Sequence, residues 1–101
     1  MEYHVNENCL TIFLPRELDH HNAEKIKKKS DRLVEKHHIK CIVFDFAETN
    51  FMDSSGIGLV MGRYRNLIKT GAELHIIGAP PNIYKMLKLA GIERLAKLEG
   101  R

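Results

Sequence analysis

Two adjacent serines follow an aspartate near the middle of the chain, where residues 51–58 read FMDSSGIG. The apolar run before this segment is typical of a buried strand, and the spacing after it is typical of an amphipathic helix. The serines are therefore expected at a helix N-terminus, where free backbone N–H groups and the helix dipole favour a negative group. The Ser54 hydroxyl could cap this helix, act as a nucleophile or accept a phosphoryl group.

The nucleophile interpretation lacks the rest of a hydrolase site. The serine of the hydrolase elbow stands in G-x-S-x-G, whereas Met52 and Asp53 precede Ser54 here. Such a serine also needs a histidine base and an oxyanion hole, and the sequence places none of the six histidines beside Ser54. The chain has neither a P-loop nor a kinase glycine-rich loop, so another protein is the expected source of a phosphoryl group. We expect a binding protein without a cofactor, and an enzyme using Ser54 stays as an alternative.

The cysteines and histidines do not predict a metal site. Cys9 and Cys41 are far apart and lie in apolar, strand-like runs, where small buried side chains are expected. The histidine pairs at 20–21 and 37–38 are adjacent, so their side chains diverge on a helix or a strand. Because no C-x-x-C or H-x-x-x-H spacing accompanies them, no bound metal is predicted.

Composition and charge favour an ordinary globular domain in the cytoplasm. The chain has 101 residues, 44% of them hydrophobic and 29% charged, which suits a single domain over residues 1–101. Its net charge is +3, and most of the local excess comes from Lys25, Lys27, Lys28 and Lys29, on a stretch that is expected to be an exposed helix face and that also carries Glu24, Asp31 and Glu35. Without interleaved aromatic residues this face does not predict nucleic-acid binding. No apolar run reaches the ~18 residues that cross a bilayer, and the start lacks a secretion signal, so no membrane partner is expected.

The hydrophobic periodicity predicts an α/β fold in the order β-β-α-β-α-β-α-β, with parallel strand pairs and crossover helices. Residues 41–46 form a near-continuous apolar run, which predicts a central strand covered on both faces. The buried stripe of the second helix is expected to contain Ile57, Val60, Met61, Tyr64, Leu67 and Ile68. The elements expected are two strands within residues 3–14, a helix beginning at Asp19 or His20, the strand at 41–46, a helix after Ser54, a strand at 73–77, a helix from Pro81 and a strand at 95–98.

Residues 51–58 resemble the signature of the STAS-domain anti-sigma factor antagonists. Residues 16–24, RELDHHNAE, are similar to the family's loop before the first helix, and residues 61–65 and 89–92 are similar to its second helix and C-terminal region. The resemblance covers nearly the whole chain and is nearest to the sporulation branch, with the general stress-response branch as the alternative. Arg16 stands where the family pattern has glycine, and Pro80 stands where it has serine, but both departures leave Ser54 in place.

The resemblance implies a mixed four- to five-stranded sheet with helices packed mainly on one face. It also implies that Ser54 is phosphorylated by a nucleotide-bound anti-sigma factor that is itself a serine kinase. The unphosphorylated antagonist binds this kinase and frees the sigma factor, which is sigma F in the sporulation branch. A metal-dependent serine phosphatase then resets the switch. A STAS module that scaffolds a larger assembly without phosphorylation is the remaining alternative.

The expected binding surface extends beyond Ser54. In a sheet with parallel neighbours, the loop before the first helix and the turn at residues 53–58 can lie at the same end. We expect Asp19 to face a basic side chain of the kinase, unless it serves only as a helix cap, and we expect Ile57 and Gly58 to be closely approached. The predicted partner-binding residues are Glu17, Asp19, His20, Asp53, Ser54, Ser55, Ile57 and Gly58.

Overall fold

The computed structural model describes all residues, 1–101, and contains the eight predicted elements in their predicted order. Two further strands of two residues each, β3 and β5, were not predicted, because so short a segment has no periodicity to detect. In chain order the elements are β1 (Glu2–Asn6), β2 (Cys9–Phe13), β3 (Glu17–Leu18), α1 (His20–His37), β4 (Cys41–Asp45), β5 (Phe51–Met52), α2 (Ser54–Ile68), β6 (Glu73–Ala79), α3 (Pro81–Leu89), a 3₁₀ turn (Ile92–Arg94) and β7 (Lys97–Gly100).

The main sheet has five strands in the order β1-β2-β4-β6-β7. The hairpin of β1 and β2 is antiparallel, and the other three pairs are parallel. Each parallel crossover moves one strand further in the same direction, so right-handed connections place α1, α2 and α3 on one face of the sheet. The predicted mixed sheet with helices on one face is therefore confirmed. None of the helices is both long and apolar enough to span a membrane.

Side chains alternate along the central strands between a buried face and an open face. The helix-facing residues of β2, β4 and β6 are fully or almost fully buried, whereas Cys41, Val43 and Asp45 of β4 are only half-buried. The prediction of a central strand covered on both faces is therefore wrong. An apolar run of this length does not reveal how many of its faces are covered, because Val43 and Cys41 suit an open sheet face equally well. The residues at the centre of the core are Leu10, Ile12, Ile42, Phe44, Leu74 and Ile76.

The buried face of α2 differs from the predicted stripe. Val60 and Leu67 are buried as expected, but Ile68 is exposed and Ile57 is only half-buried. Met61 and Tyr64, also predicted to be buried, are half-buried as well. Buried residues that the prediction omitted are Gly56, Leu59 and Arg63.

Arg63 of α2 is buried between the two helices and contacts α1. Its side chain is only 4% exposed, and its Nη1 lies 2.7 Å from Asp31 Oδ1. The same nitrogen donates a hydrogen bond to the Lys27 carbonyl at 3.1 Å. Asn66 adds a 3.4 Å hydrogen bond from Nδ2 to the same Asp31 oxygen. This network joins α1 and α2 at residues that lie beyond their first turns.

Candidate functional site

The two short strands bring together the chain segments that carry the predicted site. In parallel register, β3 pairs Glu17 with Phe51 and Leu18 with Met52. Asp53 N–H continues the ladder by donating to the Leu18 carbonyl at 3.4 Å. The loop before α1 and the turn before α2 therefore lie side by side, as the sequence predicted.

An aspartate caps each of the two helices that follow these strands. Asp19 Oδ1 accepts a hydrogen bond from Asn22 N–H at 2.9 Å, and Asp53 Oδ1 accepts one from Ser55 N–H at 2.8 Å. Both carboxylates satisfy free donors and oppose the positive end of a helix dipole. The cap predicted for Asp19 is confirmed, which leaves its role in partner binding as a separate question.

Ser54 is the first residue of α2 and not its cap, because the carboxylate of Asp53 takes that position. The alternative in which Ser54 serves as the helix cap is therefore wrong. Its side chain is exposed, whereas Ser55 is half-buried. A hydroxyl at this position is accessible to the active site of another protein, and it lies at the end of the helix that favours negative charge.

Gly56 lies within the segment 51–58, although the predicted site did not include it. A Cβ atom on Gly56 would lie 2.3 Å from Met52 Cγ and 3.1 Å from Leu18 Cδ2. A larger residue at this position would therefore require the Met52 side chain to move, because the first turn of α2 packs directly on the β3–β5 pair. Gly58 is different, because a Cβ there would meet no atom of the chain within 4 Å, and Gly58 lies on the surface.

A groove of about 530 Å³ runs between α1 and α2 from the level of their first turns. His20 of α1 and Ser55 of α2 both line it, together with Gly58 and Gly62. Three of the predicted site residues on the two helices, His20, Ser55 and Gly58, thus border one depression, and Ser54 does not line it. Ile57 is half-buried and does not line the groove.

Phe51 is the second residue that the predicted site omitted. Its neighbours Leu18 and Met52 are buried, but Phe51 leaves 51% of its surface exposed. Phe51 is thus a large apolar side chain on the surface, two residues before the acidic helix cap Asp53. Phe51 belongs to the segment 51–58 that the sequence analysis singled out, but the sequence did not indicate that its side chain is exposed.

The two side chains with shifted pKa values lie away from this site. Burial, with the neighbouring Cys9 thiol as a further cause, raises the pKa of Cys41 to about 12. His75, whose Nε2 lies 3.0 Å from a Glu73 carboxylate oxygen, lowers the pKa of Glu73. Both residues belong to the opposite end of the parallel strands. No group of three or more histidine, cysteine, aspartate or glutamate side chains is arranged to hold a metal ion.

Comparison with known proteins finds several anti-sigma factor antagonists that are similar to this chain. An anti-sigma F factor antagonist of Paenibacillus polymyxa is 30% identical over 95 residues, which is 94% of this chain and 80% of that protein. One from Lysinibacillus sphaericus is 32% identical over 88 residues, covering 87% of this chain and 75% of the relative. An anti-sigma-B factor antagonist of Listeria monocytogenes is 24% identical over 90 residues, or 89% and 78% of the two chains.

Solved structures share the fold. The anti-sigma factor antagonist SpoIIAA in its unphosphorylated form has a TM-score of 0.87 at 30% identity, covering 96% of this chain and 85% of that one. The phosphorylated form of SpoIIAA from Bacillus has a TM-score of 0.80 at 30% identity, with coverage of 96% and 88%. The family model of the STAS domain matches residues 1–100. On this match and these relatives, the chain belongs to the STAS domain family.

Proposed function

We propose that this chain, acting as one domain, is an anti-sigma factor antagonist that phosphorylation of Ser54 switches off. The relatives named as anti-sigma factor antagonists and the likeness to SpoIIAA support the binding role. The observation that carries the switch is the exposed position of Ser54, which begins α2 directly after the acidic cap Asp53.

The proposed partner is an anti-sigma factor that is also a serine kinase with bound nucleotide. The unphosphorylated antagonist binds this kinase, which releases its sigma factor. The kinase then transfers the γ-phosphoryl group of ATP to Ser54 Oγ: the new P–O bond forms, the bond to the β-phosphate oxygen breaks, and the hydroxyl proton passes to a base of the kinase. ADP leaves, and the phosphorylated antagonist dissociates. A metal-dependent serine phosphatase hydrolyses the phosphoserine and restores the hydroxyl.

The charge of one phosphate is large enough to control this association. Phosphoserine carries a charge of about −1.5 to −2 at neutral pH. Beside Asp53 each like-charge pair costs about 1–4 kcal/mol near a surface, while the helix N-terminus returns roughly 0.3–1 kcal/mol. In a docked interface the phosphate must also lose water and avoid overlap, and a further ~3 kcal/mol there lowers affinity about a hundredfold.

The phosphate is proposed to act locally, without refolding the domain. The unphosphorylated and the phosphorylated SpoIIAA structures both match this chain over 96% of its length, which supports a conserved fold in the two states. Backbone chemical shifts should therefore change on phosphorylation mainly around residues 53–60. Large changes far from these residues would contradict a local mechanism.

The proposed binding surface is made of Glu17, Asp19 and His20 on one side and of Asp53, Ser54, Ser55, Ile57 and Gly58 on the other. Their placement on two helix starts joined by the β3–β5 pair supports a single docking surface. Among the possible targets we favour sigma F, because the two sigma-F relatives are 30% and 32% identical, whereas the sigma-B relative is 24% identical. A general stress-response antagonist is the alternative target assignment.

Intact-mass analysis tests the switch and its site together. The chain is incubated with ATP, magnesium and an anti-sigma serine kinase from the same genome, and it should gain one phosphate. Ser54→Ala should gain none, whereas Ser55→Ala should still gain one, which separates the two adjacent hydroxyls. If the wild-type chain gains no phosphate from any such kinase, the non-phosphorylated STAS scaffold becomes the better account.

A further inference from the structure

The β3–β5 pair and the two helix caps that follow it present four side chains on one outward face. Leu18 and Met52 point into the core, so their neighbours Glu17 and Phe51 point outward and stand side by side in register. Asp19 and Asp53 are still extended, with φ/ψ of −97°/−177° and −101°/−172°, so the alternation continues through both caps. We call Glu17, Asp19, Phe51 and Asp53 the outward patch.

From this arrangement we propose that Phe51 is the apolar anchor of the kinase-docking surface, and that it fills an apolar pocket rimmed by basic side chains. This inference rests on the proposed function and adds a residue and a partner chemistry to it. Aromatic side chains, phenylalanine among them, are enriched in the cores of protein interfaces, and a few well-packed anchors carry most of the binding energy.

Phe51 is held in position before any partner binds. Its backbone N–H donates to the Arg16 carbonyl at 3.1 Å, and the register with Glu17 fixes the direction of its side chain. Met52, the next residue, is anchored in the core. Docking Phe51 therefore orders only its two side-chain torsions, and little conformational entropy is lost.

The charge around Phe51 specifies the rim of the partner's pocket. The other three members of the outward patch are all carboxylates, although the chain as a whole has a net charge of +3. Each of the two capping aspartates uses one oxygen, Oδ1, for its helix. Lysine or arginine side chains around an apolar pocket would pair with these acids. The phosphate on Ser54 is proposed to oppose docking by steric overlap and by the cost of losing its water, and not by repulsion from this rim.

Phe13 provides a control outside the proposed docking surface. It is also an exposed phenylalanine, at 39%, and it is also flanked by acids, since it pairs with Glu2 and with Asp45. It lies on the open face of the main sheet, which the proposed docking surface does not include. The two phenylalanines therefore share an exposed ring and acidic strand neighbours, and they differ in whether they belong to the proposed docking surface.

The test compares Phe51→Ala with Phe13→Ala in the full chain against the nucleotide-bound kinase. Titration calorimetry should show Kd raised at least tenfold by Phe51→Ala and less than threefold by Phe13→Ala. In the phosphorylation assay, Phe51→Ala should raise KM with kcat nearly unchanged, because the anchor binds but does not touch the transferred group. Phe51→Leu should recover part of the affinity. Thermal unfolding of each variant checks that the fold is intact.

The charge component has its own measurement. The Kd of the wild type should rise with salt, and Glu17→Gln should reduce that salt dependence while leaving the contribution of Phe51 in place. If the wild type binds and is phosphorylated but Phe51→Ala stays within threefold of it in both Kd and KM, the inference is wrong and the proposed function stands. If the wild type itself neither binds nor is phosphorylated, both are overturned.

Discussion

Asp19 and Asp53 occupy equivalent positions in two parallel strand–helix junctions. Each follows a two-residue strand of the β3–β5 pair, each has an extended backbone, and each accepts a hydrogen bond from the first turn of the helix it caps. Because the strands are in register, the two helices start side by side, with His20 beginning α1 and Ser54 beginning α2. A single short strand pairing thus assembles the whole candidate surface.

The two possible roles of Asp19 are separable by substitution. Asp19→Asn should leave the free energy of unfolding within about 0.5 kcal/mol of the wild type, because asparagine caps helices as well as aspartate does. Asp19→Ala should lose about 1 kcal/mol. If Asp19 also faces a basic kinase side chain, both variants bind more weakly and with less salt dependence. Urea denaturation and binding at two salt concentrations measure these effects, and wild-type binding by Asp19→Asn would leave Asp19 as a helix cap alone.

Gly58 and Gly62 allow a test of close approach by the partner. Neither position has an atom of the chain within 4 Å of where a Cβ would lie, so alanine fits at both. Each replacement should increase the free energy of unfolding by up to about 1 kcal/mol, because alanine favours the helix. Only Gly58→Ala should weaken binding to the kinase, because Gly58 lies nearer the first turn of α2. Equal affinities for the two variants would show that the partner does not approach Gly58 closely.

Gly56 should respond in the opposite direction. Gly56→Ala places a methyl group against Met52 and Leu18, and relieving that overlap should cost about 1–3 kcal/mol of the free energy of unfolding. Gly62→Ala in the same helix is the control, with unchanged or increased stability. Equilibrium urea unfolding measures both. A Gly56→Ala variant as stable as the wild type would mean that Met52 moves aside at little cost. The contact of Gly56 with Met52 would then not be needed to hold α2 on the β3–β5 pair.

Much of this architecture was predictable from the sequence, and the exceptions have specific physical causes. Long periodic segments identified all three helices and the five strands of the main sheet, and FMDSSGIG located the serines at a helix start. The pairing of β3 with β5 was not predictable, because it is a tertiary contact between two loops. Nor was the capping role of Asp53, since the sequence offers two adjacent residue types that cap helices well.

Burial was predicted less well than secondary structure. Arg63 is buried because its charge meets Asp31 and a carbonyl of α1, and hydrophobic periodicity assigns no arginine to a core. Val43 is half-exposed because the helices cover one sheet face only. The exposed Phe51 is the same kind of case, since its apolar character alone predicts burial.

The two cysteines should differ in reactivity. With its pKa raised from 9.0 to about 12, Cys41 has roughly a thousandfold smaller thiolate fraction at pH 8 than an ordinary thiol. Iodoacetamide should therefore modify Cys9 well before Cys41 in the folded chain, as peptide mass mapping over time would show. Cys9→Ser should lower the Cys41 pKa only in part, because burial is its largest cause. Equal modification rates for the two thiols would contradict the assignment.

The same shift has a consequence for stability at high pH. The pKa of Cys41 is higher in the folded than in the unfolded chain, so the unfolded state loses its proton first as pH rises. The contribution of the protonated thiol is complete below about pH 9 and declines as pH rises toward 12. Cys41→Ala should therefore reduce the loss of stability over this interval, measured as urea midpoints at several pH values against Cys9→Ala.

The Arg63–Asp31 pair should be asymmetric in its response to mutation. Asp31 is 44% exposed, so water can solvate its carboxylate when Arg63 is replaced. Arg63 is buried, so water cannot solvate its guanidinium group in the same way when Asp31 is replaced. Asp31→Ala should therefore cost about 1–3 kcal/mol of the free energy of unfolding, more than Arg63→Met, which fills the same space with an apolar chain. Glu35→Ala, which removes an exposed acid from the same helix, should stay within about 0.5 kcal/mol of the wild type.

Combining the two changes tests the reason for this asymmetry. Once Arg63 is methionine, no buried charge depends on Asp31, so Arg63→Met with Asp31→Ala should be hardly less stable than Arg63→Met alone. Urea unfolding of the four proteins in the cycle gives the coupling energy directly. If the two losses simply add, the ion pair does not determine how α1 packs on α2, and the relative position of the two helix starts must depend on the β3–β5 pair instead.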